Sequence, residues 1–265
     1  MTADAVVDLL VRVGREVHLR WFGHLDAAQI GAKAHGEVVT EADREAEAML
    51  SDALQSMFPS ALATGEESIA ADPSLLDALP TAEHLFVIDP IDGTANFVAG
   101  NPDFGILLAE VRAGVTTRAW IWQPVHHLLV TGDRATGEVR VDGELAAPVG
   151  AGTGARTGAG RALFGGAAHP FLDIGGPGLE VAPMLQSCAV DYPQMVTGRR
   201  DFLVHNGDRP WDHLPGTLQV ELLGGRVAYV DGTPYSLSAR GSLPLVAART
   251  PQIWDTVTRA VRARH

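Results

Sequence analysis

The sequence predicts a mixed α and β fold in which sheets are covered by helices, and three observations carry that expectation. Residues 4–22 place Val6, Leu9, Leu10, Val13, Val17 and Trp21 at helical spacing. Residues 104–132 break into three apolar runs separated by short turns, the pattern of an antiparallel meander. Thr250 and Pro251 sit at the cap and first position of a closing amphipathic helix. With 46% hydrophobic and 20% charged residues among 265, the chain can bury a sizeable core.

The elements follow in order. After the first helix, Thr40 is placed to cap a second, with Ala46, Met49, Leu50 and Leu54 on its apolar face. "HLFVID" (84–89) reads as a short apolar strand, and "FGILLAEV", "TTRAWIW" and "HHLLVTG" form the meander. Residues 150–178 hold ten glycines and little periodicity. They read as a flexible crossover between an N-terminal half (about 1–149) and a C-terminal half (about 179–265) of one domain, or as a surface loop. Beyond it, 184–198 reads as a helix and "DFLVH" as a strand. "WDHLPGTLQVELLGG" reads as a helix with its proline in the first turn and glycines at its stop. "RVAYVDG" and "LPLVAAR" are strands.

Charge and composition exclude several classes. A formal net charge of −12 speaks against a nucleic-acid-binding surface, which is normally basic. No run approaches the roughly 18 apolar residues of a membrane helix. The first residues are punctuated by Asp, Arg and Glu, unlike a signal peptide, so a cytoplasmic location is expected. Cys188 is the only cysteine, so it closes no internal disulfide and builds no all-thiolate zinc cage. Lys33 is the only lysine.

The stretch "VIDPIDGTANF" (87–97) sets Asp89 and Asp92 around a proline at the end of an apolar strand. Pro90 restrains the backbone and Gly93 permits a sharp turn, so both carboxylates can face one small space. Two such acids repel unless a cation lies between them, and hard oxygen donors suit Mg²⁺ or Mn²⁺. A helix starting at "GTANF" would turn the free amides of Gly93, Thr94 and Ala95 toward an anion. Taken alone, D-x-x-D is better read as an Asx-type turn in which Asp89 and Asp92 cap local amides. "TGEES" adds Glu66 and Glu67 beside a glycine, and "PWDHLPG" adds Asp212 at a helix start. Singly, these read as a solvated charge and an N-terminal helix charge.

Together and in this order, "GEES", "DPIDGTANF" and "WDHLPG" resemble the signatures of the inositol monophosphatase family of magnesium-dependent, lithium-sensitive phosphatases. "KAHGEVVTEAD" (33–43) is similar to the family's Lys…Asp-Leu-Val-Thr-x-x-Asp segment, with Glu37 in place of the first Asp. The resemblance implies a layered α-β-α-β-α sandwich of the inositol monophosphatase/fructose-1,6-bisphosphatase type, with the site between the two halves. It implies two or three Mg²⁺ ions, Mn²⁺ being the alternative. Glu66, Asp89 and the Ile91 carbonyl would hold the activating ion, and Asp89, Asp92 and Asp212 the second. Glu66 with Thr94 would orient and deprotonate the attacking water. Asp43, Lys33 and Thr40 would support them, and the Gly93 and Thr94 amides would hold phosphoryl oxygens. The expected partner is a small phosphorylated metabolite, with no nucleic acid and no membrane; a homodimer is left open.

The chain departs from the family near the leaving group. His205 stands seven residues before Asp212, where inositol-binding members carry a glutamate, so recognition of inositol itself is in question. Asp208 and Arg209 stand close enough in sequence to read a substrate amine or anion. Ser187, Cys188 and Ala189 match pocket-lining positions, and the Gly-rich 163–187 segment replaces what is commonly a helix. No histidine among His126, His127, His169 and His213 is assigned as a ligand. The function expected is a Mg²⁺-dependent phosphomonoesterase acting on an inositol monophosphate-like ester. Histidinol phosphate, a sugar bisphosphate and a nucleotide 3′-phosphate are rival substrates, and a non-catalytic metal- and phosphate-binding protein is the rival class.

Overall fold

The computed structural model describes residues 3–32, 38–147, 162–238 and 243–264. The first helix runs as α1 (Ala3–Val13), a π-helical turn (Gly14–His18) and α2 (Leu19–Trp21). A small antiparallel ribbon of β1 (Ile30–Ala32) and β2 (Val38–Thr40) leads to α3 (Glu41–Met57). That helix starts on Thr40, as the capping signal predicts. The Thr40 hydroxyl accepts from the Ala42 amide at 3.1 Å, and Asp43 accepts from the Thr40 amide at 2.7 Å.

Next come β3 (Leu62–Gly65), α4 (Glu66–Ala71), α5 (Leu75–Ala78), β4 (His84–Asp92) and α6 (Thr94–Val98). The predicted meander forms as β5 (Gly105–Arg112), β6 (Val115–Gln123) and β7 (Leu128–Asp133), extended by β8 (Glu138–Val141) and β9 (Glu144–Leu145). Among the described residues these make a seven-stranded sheet in chain order from β3 to β9. β3 runs parallel to β4, and the other pairs are antiparallel.

The second sheet has the order β11-β10-β12-β14-β13. Its strands are β10 (Leu163–Ala167), β11 (Leu179–Pro183), β12 (Phe202–His205), β13 (Arg226–Tyr229) and β14 (Leu245–Ala248). Its helices are α7 (Cys188–Val196), α8 (Pro210–Leu222) and α9 (Pro251–Arg264). The stretch read as a crossover is only partly one. Residues 148–161 lie outside the described residues, but Leu163–Ala167 already pairs with both β11 and β12. Small residues at Gly165 and Gly166 hid this strand from a periodicity reading, and they are needed there because Phe202 and Arg200 pack against them. α8 likewise starts at Pro210, so Pro215 lies inside the helix and not in its first turn.

Burial patterns stack the layers as α-β-α-β-α. Phe86 and Ile88 of β4 pack with Val6, Leu10, Ala46, Leu50 and Leu54 of α1 and α3. The alternate residues Leu85 and Val87 pack with Tyr192 of α7 and Leu214 of α8. The far side of that helical layer meets Leu203 and Leu245, and α9 closes the outer face with Trp254, Val257 and Val261 against Phe202 and Val246. A strand buried on both faces reads as an unbroken apolar run, which is why "HLFVI" shows no alternation.

Candidate active site

The two aspartates of the DPID run reach one side of the sheet through a bulge. On a regular strand, residues three apart face opposite sides. Here Asp89 pairs with Leu107 and Asp92 with Gly105, so three steps on β4 match two on β5. The extra residue restores a common face, and that face is the one toward α8. Asp212, third residue of α8, completes the group: one oxygen from each of Asp89, Asp92 and Asp212 lies within 4.8 Å of the others.

Burial and mutual repulsion dominate the electrostatics. Asp89 is held well above the usual carboxylate range by burial, then by the charges of Glu66, Asp92, Asp212 and Asp43. Burial also raises Asp212, with Asp92 and Glu66 adding to it and Arg209 opposing. Asp92 is pushed up to about 6 by burial, held back by hydrogen bonds from Ser187 and the Ala189 and Cys188 amides. Asp89 Oδ1 is buried without a hydrogen-bond partner. An acid cluster with an orphaned oxygen fits a divalent cation, whose charge removes the repulsion and whose coordination takes the free lone pairs.

The neighbouring groups are positioned tightly. Gly93 turns the chain at φ +87°, and a Cβ there would stand 3.0 Å from Ser187. Thr94 then opens α6, with the first-turn amides lacking intrahelical acceptors. The Thr94 hydroxyl lies 2.9 Å from the Ile91 carbonyl and 3.1 Å from Asp43 Oδ1. Asp43 Oδ2 in turn accepts from the Thr40 hydroxyl at 2.6 Å. Glu66 follows β3 at the start of α4, alongside the end of β4. Lys33 and Glu37 lie outside the described residues.

Two supporting residues escaped the sequence reading. Glu47, on α3, accepts from the Glu67 amide at 2.8 Å and the Ser68 amide at 2.9 Å, clamping the first turn of α4 beside Glu66. Gly65 is required beneath it, since a Cβ would approach Glu47 Oε2 to 2.4 Å. The sequence signal was an acid one turn after Asp43, beside Ala46 and Leu50 on the buried face of α3. Ser187, read only as a small pocket residue, donates to Asp92 Oδ2 at 2.5 Å, and the Ala189 amide donates to the same oxygen at 2.6 Å.

A cavity of about 440 Å³ opens from Asp92 and Asp212 toward Leu172, Met184, Cys188 and His205. Burial holds His205 well below the usual histidine range, so its ring is neutral. Asp208 accepts from the Tyr229 hydroxyl at 2.7 Å, and Arg209 lies over the Trp211 ring at 5.8 Å. Neither lines that cavity, but Arg209 lines a neighbouring one of about 880 Å³ together with Glu66 and Trp211. No helix among the described residues is long and apolar enough to cross a membrane.

The inositol monophosphatase family model matches residues 2–264. The inositol-1-monophosphatase of Mesorhizobium japonicum is 28% identical over 239 residues, 86% of this chain and 85% of the relative. The Nus factor SuhB of Escherichia coli is 29% identical over 251 residues, 89% of this chain and 90% of the relative. The solved Thermotoga maritima IMPase superposes with a TM-score of 0.80 at 25% identity, covering 98% of this chain and 96% of that one.

Proposed function

The chain belongs to the inositol monophosphatase family, and from that premise we propose that it hydrolyses a small-molecule phosphate monoester using divalent cations of the Mg²⁺ class. The observation that carries the reading is the group of Asp89, Asp92 and Asp212 beside the left-handed turn at Gly93. Asp89, Asp92 and Asp212 would hold one ion, and Glu66, Asp89 and the Ile91 carbonyl another. Bound there, the ions supply Lewis acidity and positive charge toward the phosphoryl group and the attacking water.

The protein's own groups do the rest. The Thr94 hydroxyl points at Asp43 Oδ1, 3.1 Å away, so it can pass its own proton to that carboxylate as its oxygen takes one from the attacking water. Glu66 orients the same water. The Gly93 and Thr94 amides receive phosphoryl oxygens as preorganised donors. The leaving alcohol occupies the cavity of about 440 Å³. Neutral His205 offers one acceptor and one donor where a carboxylate would offer two acceptors. Leu172 and Met184 line the cavity beside the polar His169, Gln186 and Asp191, so it suits an alcohol that presents both apolar and hydrogen-bonding groups. Retention of Glu66, Asp43 and Thr94 favours an enzyme over a protein that only binds metal and phosphate.

The test is a panel of inositol 1-phosphate, histidinol phosphate, fructose 1,6-bisphosphate and a nucleoside 3′-phosphate, assayed with Mg²⁺. Wild type should hydrolyse at least one ester roughly 100-fold or more faster than Glu66→Gln. If no ester separates the two proteins, the enzyme reading fails.

A further inference from the structure

A second set of metal-ligating side chains stands at the back of the same cavity, and its chemistry differs from that of the carboxylates. Cys188 opens α7, His205 ends β12, and His213 follows Asp212 on α8. One ligand atom of each lies within 4.8 Å of the other two, and all three residues are buried. The His205 and His213 rings meet edge to face at 4.6 Å, and Tyr192 stacks on His205 at 5.5 Å. His205 is 6% exposed, and its Nε2 is buried with no hydrogen-bond partner. An unsatisfied ring nitrogen at such depth is costly unless something takes its lone pair.

We propose that Cys188, His205 and His213 form a binding site for a thiophilic divalent cation of the Zn²⁺ class, separate from the carboxylate site. One thiolate and two imidazoles make a borderline-soft donor set that Mg²⁺ does not use and Zn²⁺ does. Zinc–sulfur and zinc–nitrogen bonds of about 2.3 and 2.0 Å put tetrahedral ligand atoms about 3.5 Å apart, so the group closes on an ion by modest side-chain rotation. Cys188 and His205 both line the cavity, which leaves a fourth position open to water or an oxyanion. Burial, and then the charges of Asp92 and Asp212, push the Cys188 thiol well above its usual range, so it stays protonated until an ion displaces the proton, and the same carboxylate field attracts that ion. The thiol proton leaves to solvent when the ion binds.

His213 is the ligand that gives something up. Its Nδ1 lies 3.0 Å from the Tyr192 hydroxyl, and its ring bonds the Gly207 backbone. Cys188 and His205 are therefore the primary pair and His213 the weaker third ligand. An ion held there takes the space of the leaving alcohol and excludes the substrate. That consequence rests on the phosphatase reading, whereas the binding itself does not.

Co²⁺ is the probe, titrated into the full chain with excess Mg²⁺ occupying the carboxylates. One equivalent should produce a thiolate-to-cobalt charge-transfer band, which Zn²⁺ bleaches and Cys188→Ala lacks. His205→Gln should weaken Co²⁺ binding at least about tenfold, and His213→Gln less. Absence of the band in wild type, or wild-type affinity in both histidine variants, overturns the site. Circular dichroism checks folding, and if Cys188→Ala unfolds, the band and the two histidine variants decide. A band without ester hydrolysis leaves this site standing and defeats the phosphatase reading; hydrolysis without a band does the reverse.

Discussion

Asp92 shows how a single side chain is tuned. Asp92 is only 8% exposed, yet a serine hydroxyl and two backbone amides hold its carboxyl near 6 and not higher. Removing the Ser187 hydroxyl takes away a bond that favours the charged form, so the proton then competes with the cation up to a higher pH. Ser187→Ala should weaken Mg²⁺ binding by about tenfold at pH 6.5, with the deficit closing near pH 8. Calorimetric titration at the two pH values checks this; a deficit independent of pH would show that Ser187 acts only through packing. His205 marks the same lesson from the other direction. A glutamate there would add a fourth buried acid to the carboxylate group, whereas a neutral imidazole adds none.

At the scale of elements, the site is assembled from the ends of β3 and β4 and the starts of α4, α6 and α8. Glu47 ties α3 to α4 through two amide hydrogen bonds. In Glu47→Gln, the amide nitrogen faces a backbone donor it cannot accept from. A stability loss of about 1–2 kcal/mol and roughly tenfold lower kcat/KM are expected, because the first turn of α4 carries Glu66. Denaturant unfolding and ester kinetics read the two effects separately. The Asp89–Asp92 bulge is a second assembly device. The residues D-P-I-D-G are plain in the sequence, but the common face they adopt depends on pairing with β5, a strand about fifteen residues later. The reading of Leu163–Ala167 as crossover failed for a related reason: its glycines accommodate Phe202 and Arg200, contacts that no local pattern records.

For the whole molecule, the site is a stored electrostatic cost that the proposed cations would relieve. Without metal, folded Asp92 holds its proton up to about pH 6, whereas an unfolded aspartate releases it near 3.9. The folded, metal-free protein thus binds more protons, and this contribution to stability is lost as pH rises through that window. Asp92 alone accounts for about 3 kcal/mol. Mg²⁺ should therefore raise Tm by an increment that grows between pH 5 and 7.5, by several degrees in a chain of this size. Scanning calorimetry with and without Mg²⁺ tests it, and an increment flat in pH would argue against cation binding by these acids.

The sequence by itself determined the class of fold and the kind of chemistry. Helical spacing, the meander, the Thr40 and Thr250 caps, and an apolar strand ending in D-P-I-D-G-T are local features, set by neighbours a few residues apart. Only the tertiary structure decided which distant groups meet. The α8 layer packs Asp212 against Asp89 and Asp92, α3 brings Glu47 to α4, and the turn before α7 aims Ser187 at Asp92. Cys188, His205 and His213 lie on three elements and carry no shared spacing, so their proximity arises from how the second sheet stacks on α7 and α8. Spacing along a chain sets the direction of a side chain. The distance between two remote ones is set by the packing of the layers that carry them.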